Sequence, residues 1–371
     1  MKSIGIGCFN FGISKLVSTD IKVSEHVQNI KSSLEKIPSI GEIEIEFDDR
    51  FDDLITVPAN NIGLKHNLVI PHIEFLRVEF SLHLPTRIQV SVLDESWAYE
   101  RSGTEDFRVT LVSSFYGPVT FVESVGSAVK NDPSYSVRIV RAFLEAEFKK
   151  LEENVTFEYL GPSPFHANLF LTENTEKKGC AMIECEEIHA RGYNDIIFKY
   201  DPEKFTSEQE IYEYFISEVD GELGLFYEIV RLKNRQNNAW RQISENVQSL
   251  KQVELGGLRW WSFLKKYKQL RNQRDIINEL YQFKAENEGV RKQVQEWVDD
   301  AYSKQLAVYF EDYVRNNEAK FPSYPIDAIS EWLRHNEARS IKYIELSIIF
   351  ISSLFGGVIG SLLTILLQGR E

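Results

Sequence analysis

Cysteine and methionine are scarce in this sequence, and the short motifs of common enzyme classes are missing. Three cysteines, Cys8, Cys180 and Cys185, stand among 371 residues, which fits a reducing compartment where disulfides are rare. The chain has no GxxxxGK[ST], GxGxxG, HExxH or GxSxG, the motifs of phosphate, dinucleotide, zinc and serine-nucleophile sites. We therefore predict no catalytic residue and no cofactor, and we favour a protein that is not an enzyme.

Metal-ligating and catalytic side chains are also sparse. Cys180, Cys185 and His189 are close in sequence, but a structural zinc site needs a second ligand pair, which does not follow. His166 and His189 suit a site best among the histidines, yet neither has an evident nucleophile or base partner. We predict no metal site, and a membrane-tethered enzyme of unknown class that uses His166 stays as an alternative.

The charge of the chain is unevenly distributed. The net charge of −14 argues against nucleic acid as a partner of the whole chain. Between Arg231 and Arg274, however, eleven basic residues stand against two acidic ones, with tryptophans interleaved. Such a segment can bind an anionic lipid surface or a phosphate-bearing ligand, because cations neutralise phosphates and aromatic rings stack. The candidate binding residues are Arg235, Arg241, Arg259, Trp260, Trp261, Lys265, Lys266, Lys268 and Arg271.

The alternative interpretation of this basic segment is a solvated helix face. Its cations would then pair with acids of the same protein or of a neighbouring copy. The sequence favours this second interpretation, since long helices commonly carry such charged faces.

Residues 346–367, 22 in all, form a long predominantly apolar stretch without a charge. About 20 apolar residues in a helix cross a hydrocarbon core of about 30 Å, so the stretch predicts a transmembrane helix. Arg334, Arg339 and Lys342 precede it, which places the N-terminal part in the cytoplasm by the positive-inside tendency. We predict a tail-anchored, single-pass membrane protein, of a bacterial inner membrane rather than an organelle.

Small residues in this stretch recur every four positions. Rows of this kind let helices approach closely and associate. We therefore predict a homo-oligomer, with helix packing through Ser352, Gly356, Gly357, Gly360, Ser361 and Thr364.

Residues 1–203 are predicted to form an α+β domain, an antiparallel meander with packed helices. Apolar residues at helical spacing mark helices over 21–35 and 132–151. Alternating patterns mark a strand over 42–47 and a four-strand meander. The meander strands cover 76–84, 88–92, 107–111 and 119–121, and further strands are expected at 155–159, 167–171, 180–183 and 196–200.

Residues 204–321 are predicted to be all-α. Apolar residues repeat at three and four positions, which indicates a helical hairpin or stalk of at least two long helices with a hinge at Gly256 and Gly257. A juxtamembrane segment over 322–345 would lead into the span.

This order of parts resembles that of the CorA-type divalent-cation channels, which have a cytoplasmic α/β domain, long helices and a C-terminal membrane region. Those channels have two membrane helices joined by a Gly-Met-Asn loop. Here the only methionines are Met1 and Met182, and one apolar stretch is present. The resemblance therefore concerns architecture, and no residue role is transferred from it.

Together these observations favour an oligomerising membrane scaffold or sensor whose cytoplasmic domain binds a ligand or partner. The alternative is an effector or channel-like protein whose multimer perturbs the bilayer when that domain is triggered.

Overall fold

The computed structural model describes residues 2–13, 21–51, 54–55, 73, 75–95, 98–126, 132–151, 154–160, 167–174, 183–188, 194–254, 262–304 and 309–368. For 51, 54–55, 98–99, 184, 251–254, 262–267, 269, 354 and 357–368 the description covers the backbone alone. The chain divides into unit 1 (Met1–Arg231 and Glu296–Ala319) and unit 2 (Leu232–Gln295 and Lys320–Glu371). The boundaries predicted at 203, 321 and 345 remain predictions.

Unit 1 is an α+β structure around an eight-stranded sheet with the order β11-β12-β10-β1-β8-β7-β6-β4. All neighbouring strands in it are antiparallel except β10 and β12. Two small sheets, β2 with β9 and β3 with β5, complete the described strands. The strands are β1 (Lys2–Gly7), β2 (Phe9–Ile13), β3 (Ile21–Lys22), β4 (Ile40–Phe47), β5 (Leu54–Ile55), β6 (Leu76–His83), β7 (Asp106–Ser114), β8 (Gly117–Ser124), β9 (Val155–Tyr159), β10 (Ala167–Glu173), β11 (Ile183–Ile188) and β12 (Asn194–Tyr200).

Eight α-helices lie within the described residues. Two of them, α5 and α6, contribute residues to both units. The helices are α1 (Val23–Glu35), α2 (Thr86–Leu93), α3 (Ala98–Ser102), α4 (Pro133–Leu151), α5 (Glu208–Glu254), α6 (Ser262–Ser303), α7 (Glu311–Ala319) and α8 (Ile326–Gln368).

One face of the large sheet packs against α1 and α4. The predicted apolar stripes of both helices are confirmed: Ile30 and Leu34 of α1 and Val140 and Leu144 of α4 are fully buried in one core with the sheet. The close fit depends on Gly5, because a Cβ atom there would lie 2.2 Å from the carbonyl oxygen of Pro133 at the start of α4. No side chain fits between this strand and the helix.

The opposite face packs against the first part of α5. The Phe215 ring lies 4.9 Å from the ring of Phe198 and 6.2 Å from that of Phe121 (centroid distances), both edge to face. Tyr212, also fully buried, donates its hydroxyl hydrogen to Thr110 Oγ1 at 3.3 Å. This face therefore combines apolar packing with buried hydrogen bonds.

Toward one end of the same face runs a chain of alternating charges, which we call the charge ladder (Lys2, Glu123, Arg108, Glu79 and Arg77). Its members stand on β1, β8, β7 and β6, in the order in which these strands neighbour each other. The ion-pair distances along it are 2.7, 3.5, 3.6 and 2.9 Å. Arg77 also donates to Glu213 of α5 at 2.7 Å, so the charge ladder fixes the helix to the sheet.

A buried carboxylate of α5 holds the segment before α7. Glu222 is 2% exposed and accepts the backbone N–H groups of Tyr309 at 2.7 Å and Phe310 at 2.6 Å. It also accepts the hydroxyl hydrogen of Tyr302 at 3.1 Å. Orphan N–H groups next to a helix start favour a negative partner, and Glu222 supplies it from a distant part of the sequence.

The predicted strand over 88–92 is wrong, since these residues form α2. The Glu105 carboxylate accepts both the backbone N–H and the hydroxyl of Thr86 at 2.6 Å, which caps the first turn of the helix. The side chain of Gln89 then donates to the carbonyls of Leu84 and Thr104, each at 2.8 Å. Of the strand expected at 180–183, residues 180–182 lie outside the described residues, and Ile183 is the first described residue of β11.

Unit 2 is helical, as the sequence predicts for this region. Residues of α5, α6 and the start of α8 share a core that includes Val247, Leu280 and Leu333. The ring of Trp240 lies 5.7 Å from that of Phe283 and 5.1 Å from that of Tyr324 (centroid distances). The hinge predicted at Gly256 and Gly257 lies outside the described residues.

The predicted transmembrane helix over 346–367 is contradicted. In the part of the chain that the structure describes, no helix is both long enough and apolar enough to cross a bilayer. The predictions of a tail anchor, a single-pass membrane localisation and a cytoplasmic N-terminus depended on this span and are corrected with it.

Candidate functional site

The candidate site is a pocket in unit 1 of about 390 Å³, its open mouth included. Four segments meet there: Cys8 and Asn10 around the start of β2, the turn into β8, the end of β9, and one turn of α5. The backbone N–H of Leu160 donates to the Cys8 carbonyl at 2.9 Å and joins two of these segments. The lining residues are Cys8, Asn10, Tyr116, Pro118, Glu158, Tyr159, Leu160, Tyr227, Glu228 and Arg231.

An ion pair forms one wall of the pocket. Arg231 and Glu228 stand one turn apart on α5 and pair directly, with the arginine side chain 36% exposed and the glutamate 10% exposed. The guanidinium also lies against Gly117, whose missing Cβ would be 3.5 Å from an arginine nitrogen. Gly117 has φ +108°, a conformation that side-chain-bearing residues rarely adopt. The backbone conformation of the turn into β8 therefore requires glycine at this position.

Two buried protic groups lie beside this wall. Burial raises the pKa of the Cys8 thiol to about 12, with the Arg231 guanidinium acting in the opposite direction. Burial also raises the pKa of Tyr227 well above its usual range, and the Cys8 side chain adds to that shift. Both groups are therefore neutral near pH 7. The Tyr227 hydroxyl has no hydrogen-bond partner among the described residues.

The mouth of the pocket is aromatic. Tyr159 is 40% exposed, and the guanidinium carbon of Arg141 lies 4.5 Å from the centre of its ring. Tyr116 also lines the pocket, and its ring lies 5.9 Å from that of Trp297 in an edge-to-face contact. The pocket therefore offers aromatic surface at its mouth and one guanidinium with carboxylates further along its wall.

Of the basic segment over 231–274, Arg231 is a residue that lines the pocket. Arg235 is exposed and pairs with Glu286 at 3.2 Å, within unit 2. Arg241, Lys268 and Arg271 are exposed residues of unit 2. Lys265 and Lys266 belong to α6 with side chains that are not described, and Arg259, Trp260 and Trp261 lie outside the described residues.

Anion binding by this segment remains a prediction. Trp240, one of its interleaved aromatics, packs into the core of unit 2. Arg274 pairs with Glu337 at 2.7 Å. The alternative interpretation, a solvated helix face, predicts ion pairs of this kind.

The predicted helix-packing residues lie on α8. Ser352 and Gly356 are exposed, and the side-chain environment of Gly357, Gly360, Ser361 and Thr364 is not described. Their role in packing remains a prediction.

The residues considered for metal binding or catalysis do not assemble within the described chain. Cys180, His166 and His189 lie outside it. Cys185 is an exposed residue of β11 whose thiol is partly desolvated, which raises the pKa of the thiol to about 11. Among the residues that the structure describes, no cluster of histidine, cysteine and acidic side chains could hold a metal ion.

The sequence does not predict this pocket as a site. Cys8 and Arg231 stand out in the sequence only as a rare thiol and as one of many basic residues, and the segments that meet are far apart in the chain. No local pattern connects β2, β8, β9 and α5. The one local signal near the pocket is the pair Gly117-Pro118, which indicates a turn that needs glycine.

This chain matches no protein-family model, no curated protein and no solved structure. Its function therefore has to be argued from its own residues.

Proposed function

We propose that this protein is an assembly scaffold or sensor, in which unit 1 receives a small ligand and the far part of α8 joins copies of the chain. The observation that carries the proposal is a cluster of large apolar side chains in solvent. Six stand within ten residues, with exposures between 42% and 65%: Leu346, Ile348, Ile349, Phe350, Ile351 and Phe355.

The exposure affects every side of the helix. Successive helical residues are rotated by about 100°, so the four consecutive residues 348–351 point in four directions. From 334 to 356 none of the described side chains of α8 is buried. A patch of this size on a protein surface marks an interaction site, and a neighbour on one side would cover only part of it. Several copies of the same helix would cover all of it.

Gly356 provides a site where assembly can be tested. A Cβ atom at Gly356 would meet no atom within 4 Å, so folding of the protomer does not require glycine there. Glycine in a helix interior costs up to about 1 kcal/mol relative to alanine. Close packing of a second helix against this position would explain why glycine is present there despite this cost.

The test is the mass of the full-length protein in a mild detergent, measured for the wild type and for Gly356→Leu. We expect a defined oligomer for the wild type and a smaller species for the variant, because the leucine would hold the helices apart. Gly289→Leu is the matched control. Gly289 is also an exposed helical glycine with nothing within 4 Å of its missing Cβ, but it lies on α6.

The control variant should keep the oligomer of the wild type. A wild-type protein that is monomeric at all concentrations tested would refute assembly through α8. Equal dissociation of both variants would show that added bulk, rather than the α8 interface, is responsible.

A further inference from the structure

We infer that β4, at one edge of the large sheet, binds an extended segment of a partner protein in which basic and apolar residues alternate. The segment would pair with β4 as an added strand. This inference goes beyond the proposed function, and it depends neither on a ligand in the pocket nor on assembly through α8.

The outer edge of β4 is open. The strand is eight residues long, contains no proline and pairs with β6 on one side, and no other described strand lies on its second side. Its pairing with β6 is irregular between Gly41 and Glu44 but regular from Glu44 to Phe47. The backbone N–H and C=O groups along the free side of an edge strand can pair with an incoming strand. Residues 44–47 therefore offer a regular template for strand addition.

The charge ladder ends at this edge with an excess of negative charge. Glu44 and Glu46 are the cross-strand partners of Glu79 and Arg77, so they lie on the face that carries the ladder. Both glutamates are exposed, and neither forms an ion pair with a residue that the structure describes. Arg77 is already paired with Glu79 and Glu213. Since like charges directly opposite each other are destabilising, Glu44 beside Glu79 calls for a cation that the described sheet does not supply.

An added strand can supply the missing cations. Side chains directly opposite one another on neighbouring strands are in contact, and every second residue of a strand faces the same side. Basic residues opposite Glu44 and Glu46 would therefore be separated by one residue in the partner. That residue would lie beside Ile45 on the other face, where Ile45 and Phe47 are partly buried and pack against the core. The partner sequence that fits is basic, apolar, basic, apolar.

A second copy of this chain does not fit the edge. The β4 strand of another copy would bring glutamates to the same face and no basic residue. The strand at the opposite edge of the described sheet, β11, carries Glu184, Glu186 and Glu187 and again no basic residue. Cross-strand pairs of like charge oppose both arrangements. The occupant that the charges favour is thus a basic segment of a different protein.

The experiment measures binding of fluorescent peptides to the full-length protein by fluorescence polarisation. The first peptide has the alternating sequence Lys-Val-Lys-Val-Lys-Val, and the second has the same residues in the order Lys-Lys-Lys-Val-Val-Val. We expect the alternating peptide to bind at least about tenfold more tightly, because only alternation places the cations and the apolar side chains on opposite faces of a strand. A third peptide, alternating but N-methylated at every residue, keeps the charges and lacks backbone donors, and it should also bind at least about tenfold more weakly.

Two double variants test the position of the peptide. Glu44→Gln with Glu46→Gln should weaken binding of the alternating peptide about fivefold, because two cross-strand charge pairs are lost. Asp275→Asn with Glu288→Gln is the matched control, which removes two negative charges from exposed positions of α6 and should leave the affinity unchanged. In the wild type, the peptide should slow hydrogen exchange of backbone amides within 40–47.

Several outcomes would overturn the inference. Equal binding of the alternating and block peptides, or of the N-methylated peptide, would show attraction by charge without strand pairing. Equal weakening by both double variants, or protection outside 40–47 only, would place the peptide elsewhere. No binding of the alternating peptide at millimolar concentration would show that Glu44 and Glu46 only guard the edge against pairing, as charges on edge strands commonly do.

Discussion

Glu222 Oε2 accepts the backbone N–H of Phe310 at 2.6 Å, across 88 positions of the chain. Through this bond and two others, one buried carboxylate of α5 holds the end of α6 and the segment before α7. The arrangement depends on a negative charge at a single position.

Glu222→Gln should therefore destabilise unit 1. The amide keeps the size of the carboxylate but offers one acceptor oxygen and adds two hydrogens beside three donors. We expect a loss of about 2–4 kcal/mol in the free energy of unfolding, measured by urea denaturation and circular dichroism. Glu25→Gln, at an exposed position of α1, should change it by less than about 0.5 kcal/mol. Similar losses for both variants would show that Glu222 is not the anchor.

His26 makes stability depend on pH. The side chain is 1% exposed, its Nε2 lies 3.0 Å from the Phe11 carbonyl, and Nδ1 has no partner among the described residues. Burial lowers the pKa of His26 from 6.5 to about 4, with the Phe11 hydrogen bond acting in the opposite direction. The folded protein thus holds a neutral imidazole whose Nε2–H donates to Phe11.

The sign of this effect follows from proton binding. Between pH 6.5 and pH 4 the unfolded chain binds a proton at His26 and the folded chain does not, so acidification favours unfolding. We expect about 3 kcal/mol of stability to be lost through this group between pH 7 and pH 4. His26→Leu should be less stable at pH 7 but lose less on acidification, whereas His335→Leu, at an exposed position of α8, should keep the wild-type slope. Parallel pH profiles for His26→Leu and the wild type would contradict this.

Two glycines should respond to alanine in opposite directions. At Gly5 the new methyl group would lie 2.2 Å from the Pro133 carbonyl oxygen, so the strand or the helix must move. We expect a loss of about 3 kcal/mol or more by thermal or urea unfolding. At Gly289 the space is open, and alanine should stabilise the helix by about 0.5–1 kcal/mol. A neutral Gly5→Ala variant would show that β1 and α4 are not in close contact.

Thiol labelling should distinguish the two described cysteines. At pH 8 the Cys8 thiol is buried and protonated, while Cys185 is exposed with a pKa raised to about 11. Because the thiolate is the reactive form, we expect slow labelling of Cys185 and none of Cys8 until urea unfolds unit 1, as measured by mass spectrometry in a Cys180→Ser background. Rapid labelling of Cys8 in the folded protein would indicate an open pocket wall.

Sequence periodicity predicted the elements whose burial is set by their own residues. The helical spacing of α1 and α4 and the alternation in β4 and β6 correspond to the faces that the structure buries. In each case the apolar residues of one element are sufficient to identify its buried face.

The sequence-based predictions were wrong where residues distant in the chain determine the local structure. Ile88, Val90 and Val92 alternate as in a strand, yet Glu105 caps this segment as a helix from 19 positions away. The transmembrane prediction for 346–367 depended on composition alone, and no helix in the described part of the chain is both long enough and apolar enough to cross a bilayer. The pocket was missed for the same reason, because its walls come from four separated segments.

The charge ladder has a consequence for how the strands align. Glu123 and Arg108 are direct cross-strand partners in the pairing of β8 with β7. A slip of β8 by one residue against β7 would turn Glu123 to the other face of the sheet and leave Arg108 without it. A slip by two would keep the face but place Glu123 opposite either Asp106, a like charge, or Thr110, which is neutral. The ion pairs therefore select one alignment of the strands against its nearest competitors, whatever they add to the stability of the correct one.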